Sequence, residues 1–143
     1  SEVALNASPG TYYVAIRHRN HLGVMTASTR SLSTTATAID LTNGGTMTYG
    51  AQAQKTIASV RVLWTGNARQ DDVLKYAGAN NDRDPILTRI GGTVPTAVTQ
   101  GYYQEDNTMD GLVKYAGANN DRDPVLQNIG GTVPTATRQE QLP

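Results

Sequence analysis

Asp106-Asn107-Thr108-Met109-Asp110-Gly111 places oxygen-bearing side chains at alternate positions and ends on glycine. When such a loop wraps, the alternate oxygens converge, the glycine supplies the sharp turn and the next carbonyl adds a ligand. The chemistry this suits is the binding of a hard cation, Ca2+ above all, which takes roughly six to eight oxygens at about 2.3–2.6 Å. Asp106, Thr108, Asp110 and the Leu112 carbonyl would supply about half of that shell. The twelfth position, where an EF-hand or dockerin loop carries its closing carboxylate, is Gly117. Closure would therefore fall to Asp121 and Asp123. The competing reading of the same residues is an ordinary Asp/Asn/Gly turn.

The loop has a degenerate twin. Lys-Tyr-Ala-Gly-Ala-Asn-Asn-Asp-Arg-Asp-Pro occurs at 75–85 and again, letter for letter, at 114–124. Ile-Gly-Gly-Thr-Val-Pro-Thr-Ala occurs at 90–97 and at 129–136, so the offset is a constant 39 residues, Tyr76 to Tyr115 and Ile90 to Ile129. A period of this size marks a supersecondary unit used twice. Copy one spans 66–104 and copy two 105–143. In copy one Asn67, Arg69, Asp71 and Asp72 stand where copy two has Asp106, Thr108, Asp110 and Gly111. Asn67, Asp71, the Val73 carbonyl, Asp82 and Asp84 form the weaker candidate site. There the Arg69 guanidinium is expected to take the place of an ion, pairing with Asp71 and Asp82.

Other chemistries find little support. His18 and His21 have H-x-x-H spacing, but no third His and no Cys accompanies them, which makes a poor zinc site and favours a solvated loop. Neither has a positioned Ser or Cys partner for a triad, and neither standard phosphate-binding glycine loop is present. The expectation is a chain that is not an enzyme. Asn6-Ala7-Ser8 is an N-glycosylation sequon, and the Ser/Thr-rich stretch 31–37 is either an O-glycan carrier or a plain exposed strand edge.

These residues need a scaffold, and the sequence describes a mainly β one. Tyr12, Val14 and Ile16 alternate with Tyr13, Ala15 and Arg17, the period of a half-buried strand. The stretches 22–25 and 38–41 are further strand candidates, the latter ending at the hairpin-type turn Asn43-Gly44-Gly45. Met47 and Tyr49, then Ile57, Val60, Val62 and Trp64, continue the pattern. Several short strands separated by turn residues point to an Ig-like sandwich or barrel over 1–65. Each repeat then reads as loop, short strand and short helix. Asp84-Pro85 and Asp123-Pro124 are expected to cap the helices, and Gly91-Gly92 and Gly130-Gly131 to end them. The three segments 1–65, 66–104 and 105–143 are expected to form one compact unit.

Composition sets the class. The 143 residues include seven Tyr, one Trp, no Phe and no Cys, so a core must be built without Phe and without disulfides. Formal net charge is zero, which lowers the cost of self-association. The acids gather in the repeats and nothing forms a basic nucleic-acid footprint. No apolar run approaches the roughly 18 residues of a membrane helix, so no membrane insertion is expected. The chain begins at Ser1 without a signal-like apolar stretch, as expected of a processed product or of a trimmed chain.

Tyr13-Val-Ala-Ile-Arg-His-Arg-Asn-His-Leu-Gly-Val-Met-Thr26, followed by the two Lys-Tyr-x-Gly-x-x-Asn-Asp-Arg-Asp-Pro-[Ile/Val]-Leu segments, resembles a module of large secreted, hemagglutinin-like surface proteins of the Bacteroidota. The resemblance covers nearly the whole chain. Acidic loops in that family read Gly-Asp-x-Asn-x-Asp-Gly, similar to dockerin calcium loops. Copy one departs at Asn67, Arg69 and Asp72, and copy two has Thr108 in place of Asn. The resemblance thus implies Ca2+ in copy two, a secreted or bacterial cell-surface location and no catalysis. Combined with an apolar-alternating N-terminus able to add to a neighbour's sheet, the expected role is a Ca2+-stabilised structural subunit of an extracellular fibril or surface assembly. Its partners would be further copies of the chain in a helical or linear polymer. The alternative is an adhesive module binding carbohydrate or protein, with Tyr12, Tyr13, Tyr102 and Tyr103 as glycan-stacking candidates.

Overall fold

The computed structural model describes residues 3–143. Ten short strands and two helices follow in chain order: β1 (Gly10–Tyr12), β2 (Ala15–Ile16), β3 (Val24–Met25), β4 (Arg30–Leu32), β5 (Lys55–Ile57), β6 (Val60–Val62), β7 (Val73–Lys75), α1 (Arg83–Arg89), β8 (Val98–Gln100), β9 (Leu112–Lys114), α2 (Arg122–Asn128) and β10 (Thr137–Gln139). The fold is mainly β. Among the described residues every sheet is an antiparallel two-stranded ribbon: β1 with β4, β2 with β3, β5 with β6, β8 with β9 and β10 with β7. These pairings do not join into the two facing sheets of an Ig-like sandwich or into a closed barrel. The strands are two or three residues long, too short to template wide sheets, and loops satisfy much of the remaining backbone.

The N-terminal half departs from its expected pattern in several places. The single strand expected over Tyr12–Arg17 is divided, Tyr12 pairing in β1 with β4 and Ile16 in β2 with β3, and Met47 and Tyr49 lie in no strand. The 38–41 stretch forms no strand; Leu41 instead buries against Val24 and Ala53, with Ile39 and Leu63 alongside. Its polar residues turn the chain locally, the Asp40 carboxylate accepting from the Thr42 N–H at 2.8 Å and the Asn43 side chain accepting from the Gly45 N–H at 2.7 Å. Such Asx turns compete with strand pairing. The strand β4, by contrast, has no apolar alternation in the sequence.

The two repeats are interlocked. The last strand of copy one, β8, pairs with the first strand of copy two, β9, in the register Val98 to Lys114, Thr99 to Val113 and Gln100 to Leu112. The last strand of copy two, β10, pairs with the first strand of copy one, β7, in the equivalent register, Thr137 to Lys75, Arg138 to Leu74 and Gln139 to Val73. Each copy thus completes the other, as the subunits of a twofold dimer would. The cores follow the same exchange. Ile86 and Ile90 of copy one pack on Val113 of copy two, with Tyr103 and Tyr115 beside them. Ile129 of copy two packs on Leu74 of copy one and on Leu22, with Trp64 and Tyr76 beside them. Trp64 and Tyr103 stand one repeat length apart and cover the two cores equivalently. Each fully buried aliphatic contributes about 1.5–3 kcal/mol.

The helices begin at Arg83 and Arg122, earlier than the Asp-Pro pairs suggest, so Pro85 and Pro124 are third in their helices rather than first. Asn81 Oδ1, not Asp84, accepts the free N–H groups of Arg83 and Asp84 at 3.0 and 3.1 Å. Asn120 does the same for Asp123 at 2.9 Å. Both helices run into the double glycines, where Gly91 and Gly130 adopt φ of 108° and 127°, a region that an L side chain enters only under strain.

The C-terminal segment binds the halves together. Beyond β10, the buried Glu140 carboxylate accepts the Gly23 N–H at 2.6 Å and pairs with Arg17 at 2.7 Å. Gln141 accepts the Gln52 N–H at 2.8 Å. A Cβ on Gly23 would lie 3.0 Å from the Glu140 carboxylate, which explains the glycine there.

Candidate metal centre

In copy two the structure brings three of the candidate residues together, Asp106, Thr108 and Asp121. Asp106 is 1% exposed and Asp121 is fully buried. Thr108 Oγ1 lies between their carboxylates, 3.4 Å from Asp106 and 3.1 Å from Asp121. Asp106 also accepts the N–H groups of Asp110 and Gly111 at 3.2 and 3.0 Å, and Asp121 accepts those of Thr108 and Lys114 at 2.9 and 2.8 Å. Burial pushes the Asp121 carboxyl above the usual range; the backbone N–H groups oppose that rise and the charge of Asp106 adds to it. Two dry carboxylates around one hydroxyl make a pocket that favours a cation or a proton.

The other candidates are turned outward. Asp110 accepts the Leu112 N–H at 2.9 Å, and its second oxygen faces Lys114 Nζ at 3.5 Å. Leu112 opens β9. Asp123 bonds the Asn120 amide at 2.9 Å, at the start of α2, rather than joining Asp106. Among the described residues no three acidic or histidine side chains converge as a metal-binding group.

Copy one repeats this scaffold without the paired acids. Asp82, fully buried, accepts the N–H groups of Arg69 at 3.1 Å and Lys75 at 2.8 Å. Asn67 accepts the Asp71 N–H at 3.1 Å, and Asp71 accepts that of Val73, also at 3.1 Å. Asp84 bonds Asn81 at 2.9 Å. The Arg69 guanidinium pairs with Asp71 at 3.4 Å, but it is the Arg69 backbone N–H that reaches Asp82. Burial raises the Asp82 pKa from 3.8 to about 7, with the Asp71 charge adding to the rise.

Arg19 and Asn20 of the N-terminal half were not expected here. Arg19 Nη2 lies 3.4 Å from Asp106 Oδ2. Asn20, fully buried, donates from Nδ2 to the Asp106 carbonyl and accepts the N–H groups of Gly66 and Asn67, both at 3.0 Å, on its own carbonyl. It therefore ties both repeat loops to the first half. Asn107 is also buried; its Nδ2 donates to the Asp121 carbonyl at 2.9 Å, while its Oδ1 has no partner among the described residues. An oxygen in the loop's second position was its only sequence signal. Of the tyrosine candidates, Tyr102 is 82% exposed with the Arg19 guanidinium 3.7 Å over its ring. Tyr13 is exposed, whereas Tyr12 and Tyr103 are half-buried, Tyr103 in a repeat core.

No protein-family model, curated protein or solved structure matches the chain.

Proposed function

We propose that the chain is a structural subunit of an extracellular fibril or bacterial surface assembly, stabilised by Ca2+ at the copy-two loop and joined to its neighbours by donation of its N-terminal strand. The observation that carries this reading is the segment 3–9. Every residue in it is exposed, Val3 and Leu5 at 78% and 58%, and it forms no strand within the chain. Two-stranded ribbons leave open edges, and an unpaired extended segment with alternate apolar residues is suited to fill one on another subunit. Such a contact is head-to-tail and gives a helical or linear polymer when its rotation does not close. Donated strands would widen the ribbons, so sandwich-like layering belongs to the polymer in this reading. Asn6 lies exposed in the same segment, where a glycan would be carried at the subunit junction.

Deleting residues 1–9, which leaves β1 whole, tests the proposal by light scattering. The expected result is loss of polymers with a folded monomer remaining; unchanged assembly contradicts strand donation.

Support for Ca2+ comes from the Asp106, Thr108 and Asp121 oxygens and from the resemblance of the acidic loops to dockerin-type loops. Arg19 opposes an ion there, since its charge already sits on Asp106. Arg19→Gln is therefore expected to tighten Ca2+ binding by about tenfold, the effect of removing one partly screened charge, as measured by titration calorimetry. Equal affinity in both proteins would place the ion elsewhere. The second reading, an adhesive module at a surface of the same secreted family, draws on the exposed Tyr102. Its ring borders a cleft of about 440 Å³ lined also by His18, Arg19, Asp106 and Met109, and a sugar face could stack there.

A further inference from the structure

The chain segment linking Asn20 to the copy-two loop also brings three donor atoms together. His18 Nδ1 lies 2.9 Å from His21 Nδ1 and 3.2 Å from Asn20 Oδ1. The rings are set edge to face, their centroids 4.7 Å apart. A turn closed by the His21 N–H on the His18 carbonyl at 3.3 Å holds the pair. His21 is fixed further by its bridge to Thr65, and Asn20 by burial.

We propose that His18, His21 and Asn20 form a binding site for a tetragonal divalent transition metal, Cu2+ foremost. The spacing of the nitrogens, that of a hydrogen bond in the metal-free chain, also suits neighbouring ligands of such an ion. With metal–nitrogen bonds of about 2.0–2.1 Å, nitrogens 2.9 Å apart subtend about 90° at the ion. That is the angle between neighbouring ligands of a square-planar or tetragonal ion, whereas tetrahedral zinc would hold them roughly 3.3 Å apart. Among divalent ions with imidazole and oxygen ligands, Cu2+ also binds most tightly. Among the described residues Asn20 Oδ1 has no hydrogen-bond partner besides His18 and is available as a third ligand. Met109 lines both clefts that His18 borders.

The surrounding charges are compatible with an ion. Arg17 is neutralised by Glu140 and Arg19 by Asp106. Without metal, one Nδ1–H donates to the other Nδ1; an ion between them requires both neutral rings to carry their proton on Nε2, so binding moves that proton from Nδ1 to Nε2 with no net release.

The test is titration of the full chain with Cu2+ in excess Ca2+, so that carboxylate loops do not compete, read by electron paramagnetic resonance and visible absorbance. One equivalent with nitrogen hyperfine structure from two imidazoles is expected. His18→Asn, at an exposed position, should lower affinity by about tenfold or more while leaving the metal-free unfolding midpoint unchanged, and His21→Asn should do the same to the nitrogen signal. Binding undiminished in His18→Asn, or a spectrum without two imidazole nitrogens, overturns the assignment, as does failure to bind micromolar Cu2+.

Discussion

A chain ending at Ala136 is expected to lose cooperative unfolding altogether. Residues 137–143 supply β10, the only partner of β7 among the described strands, so copy one would lose the strand that shields Leu74. The Arg138 guanidinium stacks 3.6 Å over Trp64 and donates to the Asn128 carbonyl at 2.6 Å. Glu140 and Gln141 go with it, and with them the Gly23 and Gln52 anchors in the first half. Removing a ribbon, the buried Glu140 carboxylate with its Gly23 hydrogen bond and one wall of a core costs at least about 5 kcal/mol, comparable to the whole stability of a domain this size, about 5–15 kcal/mol. Circular dichroism on thermal unfolding checks it. A truncated chain that melts sharply near the parent midpoint would show that the copies do not depend on strand exchange.

Asp121→Ala should be nearly as damaging. Its carboxylate is fully buried and satisfies the N–H groups of Thr108 and Lys114 together with the Thr108 hydroxyl. Each orphaned buried donor costs about 1–3 kcal/mol, so a loss of about 3–5 kcal/mol is expected in urea unfolding. Asp82→Ala, with two equivalent N–H partners in copy one, should lose a similar amount. A cost under about 1 kcal/mol at either site would mean that water replaces the carboxylate.

The same carboxyls give an unusual pH dependence. Burial raises Asp82 from 3.8 to about 7, so between those values the folded chain holds a proton that the unfolded chain has released. Its contribution to stability is present in full below the unfolded value and is lost as pH rises through about 7. The urea midpoint should therefore fall from pH 5 to pH 8, against the usual carboxylate trend, and Asp82→Asn should flatten the slope. Asp121 is shifted the same way, by burial first and by Asp106 second. Excess Ca2+ should remove the Asp121 part of the slope and leave that of Asp82.

Much of the local design was legible in the residues. The 39-residue offset, Tyr76 to Tyr115, locates both loops, and Gly91-Gly92 and Gly130-Gly131 mark where the helices end. Which strands would pair was not legible, because two similar copies can close on themselves or on each other with equivalent strands. The Asp-Pro pairs suggested the wrong caps: Asn81 and Asn120 reach the free N–H groups because the helices start two residues before the prolines. Arg19 and Asn20 looked like part of a solvated polar stretch. Their partners lie at Asp106, 86–87 positions along the chain, and local periodicity carries no signal over that distance. The strand candidate at 38–41 failed for a related reason. Leu41 is buried, but its neighbours Asp40 and Asn43 bond to their own backbone or to each other rather than to a strand.

The central claim, a Ca2+-stiffened subunit that polymerises, is tested most directly by negative-stain imaging of the purified protein in Ca2+ and after excess EDTA. Filaments in Ca2+ that fray or dissolve in EDTA are the predicted result, tying the Asp106–Asp121 pair to assembly. Discrete particles of uniform size in both conditions would contradict it and leave the adhesive module as the better reading.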